Sequence, residues 1–220
     1  MATTRKEQQA ETRSRLMKAA SKMFCRRGLD RTSIDDIARE AGYTKGAFYA
    51  NFRSKEELFL SMMDEKFAAE IERIDEALHS DDPAEDQIRS ASLEYIRVAR
   101  SDPEWPRLFS EFSVLAMRDE DFREEFMTRY WAMRERIVQL YRRYAEELAI
   151  ESPIPIEQIA IATFCMANGF LTEKLLDPDV DDELYGMMII TFFRGIGRLL
   201  QEEDPEAFER LTQTPGAEAG

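Results

Sequence analysis

Residues 32–52 read TSIDDIAREAGYTKGAFYANF. A hydroxyl pair, Thr32 and Ser33, stands just ahead of two carboxylates, Asp35 and Asp36. That is how a helix begins: a side-chain oxygen caps free N–H groups, and negative charge meets the positive end of the peptide dipole. The spacing predicts a short helix over about 34–41, with Thr32 as its cap and Gly42 as its stop. Thr44 caps a second short helix reaching Phe52. Two short helices across a tight glycine-containing turn form the helix-turn-helix pattern. Ile34 and Ile37 are expected to face inward, Ala38 and Ala41 to let the helices cross closely, and Tyr43 to plug the turn. Phe48 and Phe52, four residues apart, share the buried face of the second helix.

The opposite face of that helix is then left for a ligand. Thr44, Lys45, Gly46 and Ala47 form its amino-terminal end, the end that enters the DNA major groove in such motifs. Lys45 is the candidate for guanine acceptors, with Thr44 beside it. Tyr49 projects from the same face toward a phosphate, and Asn51 is a further candidate. Thr32 is expected to reach a phosphate as well as to cap. Lys55 adds its charge to the free N–H groups where the next helix starts.

Outward from this stretch the chain stays helical. Apolar residues at Leu16, Ala20, Met23 and Phe24 predict a helix over 13–27 ending at Gly28, with residues 1–12 polar and frayed. Ser54 caps a helix over 55–79, with Glu57 three residues on as a capping box. Prolines 83, 103, 153, 155, 178 and 205 separate helices at about 84–101, 104–117, 120–149, 156–176, 181–201 and 205–212. Residues 213–220 form a low-complexity tail. The expected class is all-α: a helix-turn-helix domain over 1–54 and a helical ligand-binding and dimerisation domain over 55–220, linked by the helix 55–79.

Charge divides the same way. The 220 residues carry a net charge of -14. Residues 1–60 hold 13 Lys and Arg against 8 Asp and Glu, a net of +5, and the rest hold 17 against 36, a net of -19. A basic head on an acidic body fits a chain in which only the head meets phosphate. So small a basic region suits a specific site better than general coating of DNA.

Enzyme chemistry has little material here. His79, the single histidine, sits in a surface-turn sequence, HSDDP. Carboxylate pairs fall in charged runs such as EEDPE, and no glycine-rich loop precedes a helix. No cofactor is expected. One histidine and no CxxC leave no metal site. Cys25 and Cys165 are expected as buried thiols rather than a disulfide. No signal peptide is apparent, and the uncharged run 158–172 is short for a bilayer. No membrane contact and a cytoplasmic location are expected.

The stretch from Arg13 to about Leu58 resembles the tetracycline-repressor-like (TetR) family of regulators. The resemblance rests on RRGLDRTSIDDIA, on the turn REAGYTKGAFY, and on the closing NFRSKEELF. It covers about a quarter of the chain. It implies a ligand-responsive transcriptional regulator, most often a repressor, binding a palindromic operator on double-stranded DNA as a homodimer. By position it implies recognition-helix contacts at Thr44, Lys45, Gly46 and Tyr49 and phosphate contacts at Thr32 and Lys55. Ala50 and Arg53 depart from the family's usual residues, and Arg53 offers an extra phosphate contact.

The resemblance also implies that the body takes a small apolar or aromatic effector. Large adaptable side chains are candidates for a pocket: Trp105, Phe109, Phe112, Phe126, Tyr130, Met133, Met166 and Phe170. Asn168 and Glu173 are polar residues in an apolar helix and are candidates to orient a ligand, with Glu94, Tyr95 and Glu111 as further ones. The apolar segments 156–176 and 181–201 exceed the needs of one core and are expected to pair with their copies in a homodimer.

Overall fold

A computed structural model of the chain describes residues 4–79 and 82–212. The tail at 213–220 lies outside the described residues, as do residues 80 and 81 of the HSDDP segment. Regular structure among the described residues is wholly helical. In order come α1 (Arg5–Arg27), α2 (Ile34–Glu40), α3 (Lys45–Tyr49), α4 (Lys55–Leu78), α5 (Ala84–Ser101), α6 (Glu104–Ala116), α7 (Glu120–Glu147), α8 (Ile156–Leu176), α9 (Glu183–Glu203) and α10 (Pro205–Thr212).

One helix start differs from expectation. α1 begins at Arg5, not near residue 13. The Thr4 hydroxyl accepts from the Glu7 N–H at 3.3 Å, and the Glu7 carboxylate accepts from the Thr4 N–H at 2.6 Å. Residues 5–11 are exposed, so this reciprocal cap, not burial, starts the helix. The T-x-x-E signature was present, but an apolar stripe cannot mark a turn that buries nothing.

Contacts divide the chain into two compact units. The first holds the described residues up to Lys66 together with Pro103–Arg129. The boundary expected at 54/55 falls inside it. The reason is packing: α1, α2 and α3 leave apolar surface that α4 and α6 cover. Phe24 meets Phe112 edge-on at 5.7 Å, and Phe112 stacks on Phe59 with ring centroids 3.5 Å apart. Trp105 lies beside Phe59 at 5.7 Å, and Phe122 and Phe126 of α7 extend the cluster. Such aromatic pairs add to the gain from burial itself.

The second unit holds Phe67–Asp102 and the described residues from Tyr130 on. α9 is its centre, packing against α5, α8 and α10. Ile96, Ala167, Phe170, Tyr185 and Ile189 form one buried cluster, and Leu78, Ala91 and Leu140 another. α8, at 21 residues, is longer than the uncharged run read from the sequence and is long and apolar enough to cross a membrane by length and composition. In the fold it buries Ile159, Ala160, Thr163, Ala167 and Phe170 and leaves Ile161, Cys165 and Leu176 exposed. Cys165 is therefore not a buried thiol, and Cys25 is half-buried.

Candidate nucleic-acid interface and cavity

Residues 32–52 fold as their spacing dictates, with one cap reassigned. Ser33, not Thr32, is the N-cap of α2, accepting from the Asp36 N–H at 3.1 Å. Thr44 caps α3, accepting from the Ala47 N–H at 3.3 Å. Gly42 adopts φ 78, the left-handed region that glycine enters without steric cost, and this turns the chain between the two helices. Ile37, Ala38, Phe48 and Phe52 are buried at 1% exposure or less.

That burial leaves one face of α3 outward. Thr44, Lys45, Gly46 and Tyr49 are exposed, and Ala47 is half-exposed. The Lys45 ammonium lies 2.9 Å from the Asp35 carboxylate, and both side chains are largely in solvent. That bond and the Asp35 charge hold the Lys45 pKa above its ordinary value. The arrangement is a short helix end with small residues, one cation and one phenol facing solvent.

Three other residues expected at DNA have different work in the fold. Thr32 is 1% exposed, and its hydroxyl donates to the Gly28 carbonyl at 2.8 Å. The Lys55 ammonium donates to the carbonyls of Leu29 at 2.8 Å and Thr32 at 3.0 Å. It ties the loop before α2 to the start of α4, because those carbonyls end a chain segment with no helical partner for them. The Asn51 side chain donates to the Ala47 carbonyl at 2.8 Å, closing the end of α3. Arg53 pairs with Glu57, whose carboxylate accepts from the Arg53 N–H, while the Ser54 hydroxyl accepts from the Glu57 N–H at 3.1 Å. The capping box at Ser54 is thus displaced by one residue.

Sequence reading passed over Arg13. Its guanidinium donates to the Asn51 carbonyl at 2.7 Å and to the Ser61 hydroxyl at 3.2 Å, and sits 4.2 Å from the centre of the Phe52 ring. It locks α1 to the end of α3 and to α4. Its charge alone, among the many of α1, does not reveal this.

The second unit contains a cavity of about 530 Å³. Its wall is apolar, with Ile74, Leu78, Ile88, Ile159, Ile189 and Phe193 prominent, and carries four tyrosines, Tyr95, Tyr141, Tyr144 and Tyr185. The Tyr141 hydroxyl donates to the Thr163 hydroxyl at 3.1 Å, and the Tyr144 hydroxyl to the Gln87 side-chain oxygen at 2.6 Å. At the rim the Arg194 guanidinium forms two bonds to the Glu85 carboxylate, at 2.6 and 2.9 Å.

None of the ten residues expected at a pocket lines this cavity. Trp105, Phe109, Phe112 and Phe126 belong to the first unit, where their rings pack on one another and on Phe59. Tyr130, Met133, Met166, Asn168, Phe170 and Glu173 belong to the second. Met133 and Phe170 are buried among helices, Glu173 is exposed, and the Asn168 amide donates to the Phe164 carbonyl of its own helix. Size and polarisability mark core and cavity wall alike, so the residue types could not separate them. Of the polar candidates, Tyr95 is at the cavity, whereas Glu94 pairs with Arg97 and Glu111 with Arg107.

Comparison with known proteins matches both parts of the chain. Residues 16–62 match the model of Bacterial regulatory proteins, tetR family, and residues 83–186 match that of the BetI-type transcriptional repressor, C-terminal. The HTH-type transcriptional regulator TtgR of Pseudomonas putida is 44% identical over 59 residues, 27% of this chain and 28% of that protein. The match therefore spans little more than a quarter of that relative's length. Among solved structures, a TetR-family transcriptional regulator from Rhodococcus sp. aligns with a TM-score of 0.68 at 18% identity, over 85% of this chain and 98% of that one. The transcriptional regulator FadR from Bacillus subtilis, solved in complex with stearoyl-CoA, aligns with a TM-score of 0.63 at 15% identity, over 91% and 98%.

Proposed function

This chain belongs to the TetR family of bacterial regulatory proteins, and from that premise we propose that it is a transcriptional repressor. It reads a two-fold-symmetric operator as a homodimer and leaves the operator when a small apolar or aromatic effector enters the second unit. The observation that carries the reading is the division of faces on α3: Phe48 is buried, while Thr44, Lys45, Gly46 and Tyr49 are in solvent. A helix end so presented fits the major groove, with Lys45 toward base edges and Tyr49 toward a phosphate. Thr44, Gly46 and Ala47 keep the approach close. The match of residues 83–186 to a repressor's C-terminal model favours repression over activation.

The homodimer is supported by unpartnered apolar surface. On α8 and α9, Ile161, Leu176, Met187 and Leu199 are exposed, with 59% of Met187 and 77% of Leu176 in solvent. Exposed apolar side chains on two helices that pack together offer a contact for a partner. Effector binding is supported by the cavity, whose volume and largely apolar wall suit a drug-sized molecule. The FadR structure with stearoyl-CoA gives a precedent on this fold. α4 offers the coupling: Leu58, Phe59 and Met63 are buried in the first unit, and Ile74 and Leu78 line the cavity. A ligand that displaces Ile74 and Leu78 would shift that helix. A dimer must meet successive major grooves about 34–36 Å apart, so a small change of spacing releases it. Such a reader of chromosomal operators works in the cytoplasm.

Selection of bound DNA from a random pool by the purified protein tests the reading. Enrichment of an inverted repeat is expected. A pool without enrichment, held only by contacts that vanish as salt rises, would overturn it.

A further inference from the structure

The cavity of the second unit holds two polar groups with no role in the fold. Tyr95 and Tyr185 both line it, with ring centroids 5.2 Å apart. Tyr185 is 6% exposed, and its ring packs on Phe170 at 5.4 Å. Unlike Tyr141 and Tyr144, whose hydroxyls donate to Thr163 and Gln87, these two hydroxyls have no hydrogen-bond partner among the described residues. Neither oxygen is sealed off from open space. A hydroxyl that faces an apolar cavity with no acceptor from the protein is left to bond with whatever fills that cavity. Their counterpart is therefore a ligand or ordered water in the cavity.

The charge around them narrows the ligand. Burial raises the pKa of both phenols, and the Glu70 carboxylate raises both further, so they stay neutral donors. The cations of the cavity, Arg194 and Arg198, are exposed, and Arg194 is already held by Glu85. A carboxylate or phosphate at the tyrosine pair would lose its water and meet no compensating charge. An uncharged oxygen acceptor avoids both costs. The remaining wall is largely isoleucine, leucine and aromatic side chains, which take an apolar body.

We propose that Tyr95 and Tyr185 form a two-hydroxyl anchor that donates to an uncharged carbonyl oxygen on an otherwise apolar ligand. This rests on the reading of the cavity as the effector site. It selects one chemical class: neutral, largely hydrophobic ketones, esters or lactones, in preference to hydrocarbons of the same shape and to the corresponding acids.

Three fluorescent probes test it on the full chain without DNA. They are the solvatochromic naphthyl ketone prodan, the parent dimethylaminonaphthalene lacking the acyl group, and the same ring bearing a carboxylate. Prodan is expected to bind about tenfold more tightly than the parent amine, the scale of one or two net hydrogen bonds. Y95F and Y185F each reduce that preference, and the double variant abolishes it, so that ketone and amine bind alike. Bound prodan emits to the blue in the double variant, because its carbonyl has lost its donors. Melting curves of the variants establish that each is folded. Equal binding of ketone and amine, tightest binding of the carboxylate, or a full ketone preference in the double variant would overturn the anchor while leaving the cavity reading intact. If none of the three probes binds, both the anchor and the cavity reading fall.

Discussion

Lys45 and Lys55 are ten residues apart and alike in sequence, and the fold gives them opposite tasks. Lys45 is exposed and paired with exposed Asp35. An exposed pair is weakly held, so Lys45 can exchange its carboxylate for a guanine edge. Lys45→Ala is expected to weaken operator binding by about 1–3 kcal/mol and to relax preference at one base pair. Anisotropy titrations against wild-type and single-substituted operators measure both, and unchanged preference would move the base contact elsewhere. Lys55 is occupied by the Leu29 and Thr32 carbonyls. Lys55→Ala is expected to cost about 1–3 kcal/mol of folding stability, because the Thr32 carbonyl loses the ammonium as donor and the Leu29 carbonyl keeps only the Thr32 N–H. Denaturant unfolding reads that loss. The salt dependence of DNA binding should stay unchanged, whereas loss of a phosphate contact would lower its slope by about one.

At the scale of the element, helix ends carry the legible and the hidden information. The caps at Thr44 and Ser54 sit where their hydroxyls predict them, whereas the hydroxyl pair at 32–33 fixed the start of α2 but not which of the two caps it, which is Ser33. The end of α7 was not. Ala149 closes it at φ 50, a left-handed position that suits glycine. Ala149→Gly is expected to stabilise the protein by about 1 kcal/mol, since the methyl group is strained there and its loss outweighs the added chain freedom. A lower urea midpoint in the variant would refute this. The ends of α4 and α7 also share a titrating group. The His79 pKa is raised chiefly by its bond to the Asp75 carbonyl, with further help from Glu147 and the Asp75 carboxylate. Arg143, paired with Asp75, moderates that field. A raised folded pKa means that the stabilisation is complete below the ordinary value of 6.5 and fades as pH rises through the folded value. His79→Gln should therefore differ most from wild type in mildly acidic buffer and converge with it above neutrality. Parallel stability curves across that range would show that His79 contributes nothing.

At the scale of the whole molecule, charge and apolar surface are segregated. Residues 1–60 hold a net +5 and the rest of the chain -19. Met187 and Leu176 add exposed apolar surface on α9 and α8. Met187→Glu is expected to shift the protein toward monomer in sedimentation and to weaken operator binding at low protein concentration. Near-normal unfolding is expected, because this side chain contributes little to its own subunit's core. A dimer that survives the substitution would place the partner surface elsewhere. The cavity also belongs to this scale, since its wall draws residues from α4, α5, α7, α8, α9 and α10.

What the sequence by itself determined is whatever depends on neighbours along the chain. The helix-turn-helix at 32–52, the caps, the proline breaks and the outward face of α3 all follow from spacings of three or four residues. The T-x-x-E start of α1 has such a spacing too, but with no apolar stripe beside it the expectation left residues 1–12 frayed, and the helix starts at Arg5. The tertiary structure alone decided what depends on which distant groups meet. Lys55 and Thr32 bind main-chain carbonyls of the loop before α2, and Asn51 closes the end of its own helix, bonds that no spacing along the chain foretells. The large side chains of α6 fill the first unit's core, while a different group of aliphatic and tyrosine side chains encloses the cavity. A phenylalanine gains much the same free energy from burial in a core as in a pocket wall, so its identity carries no record of which surface it faces.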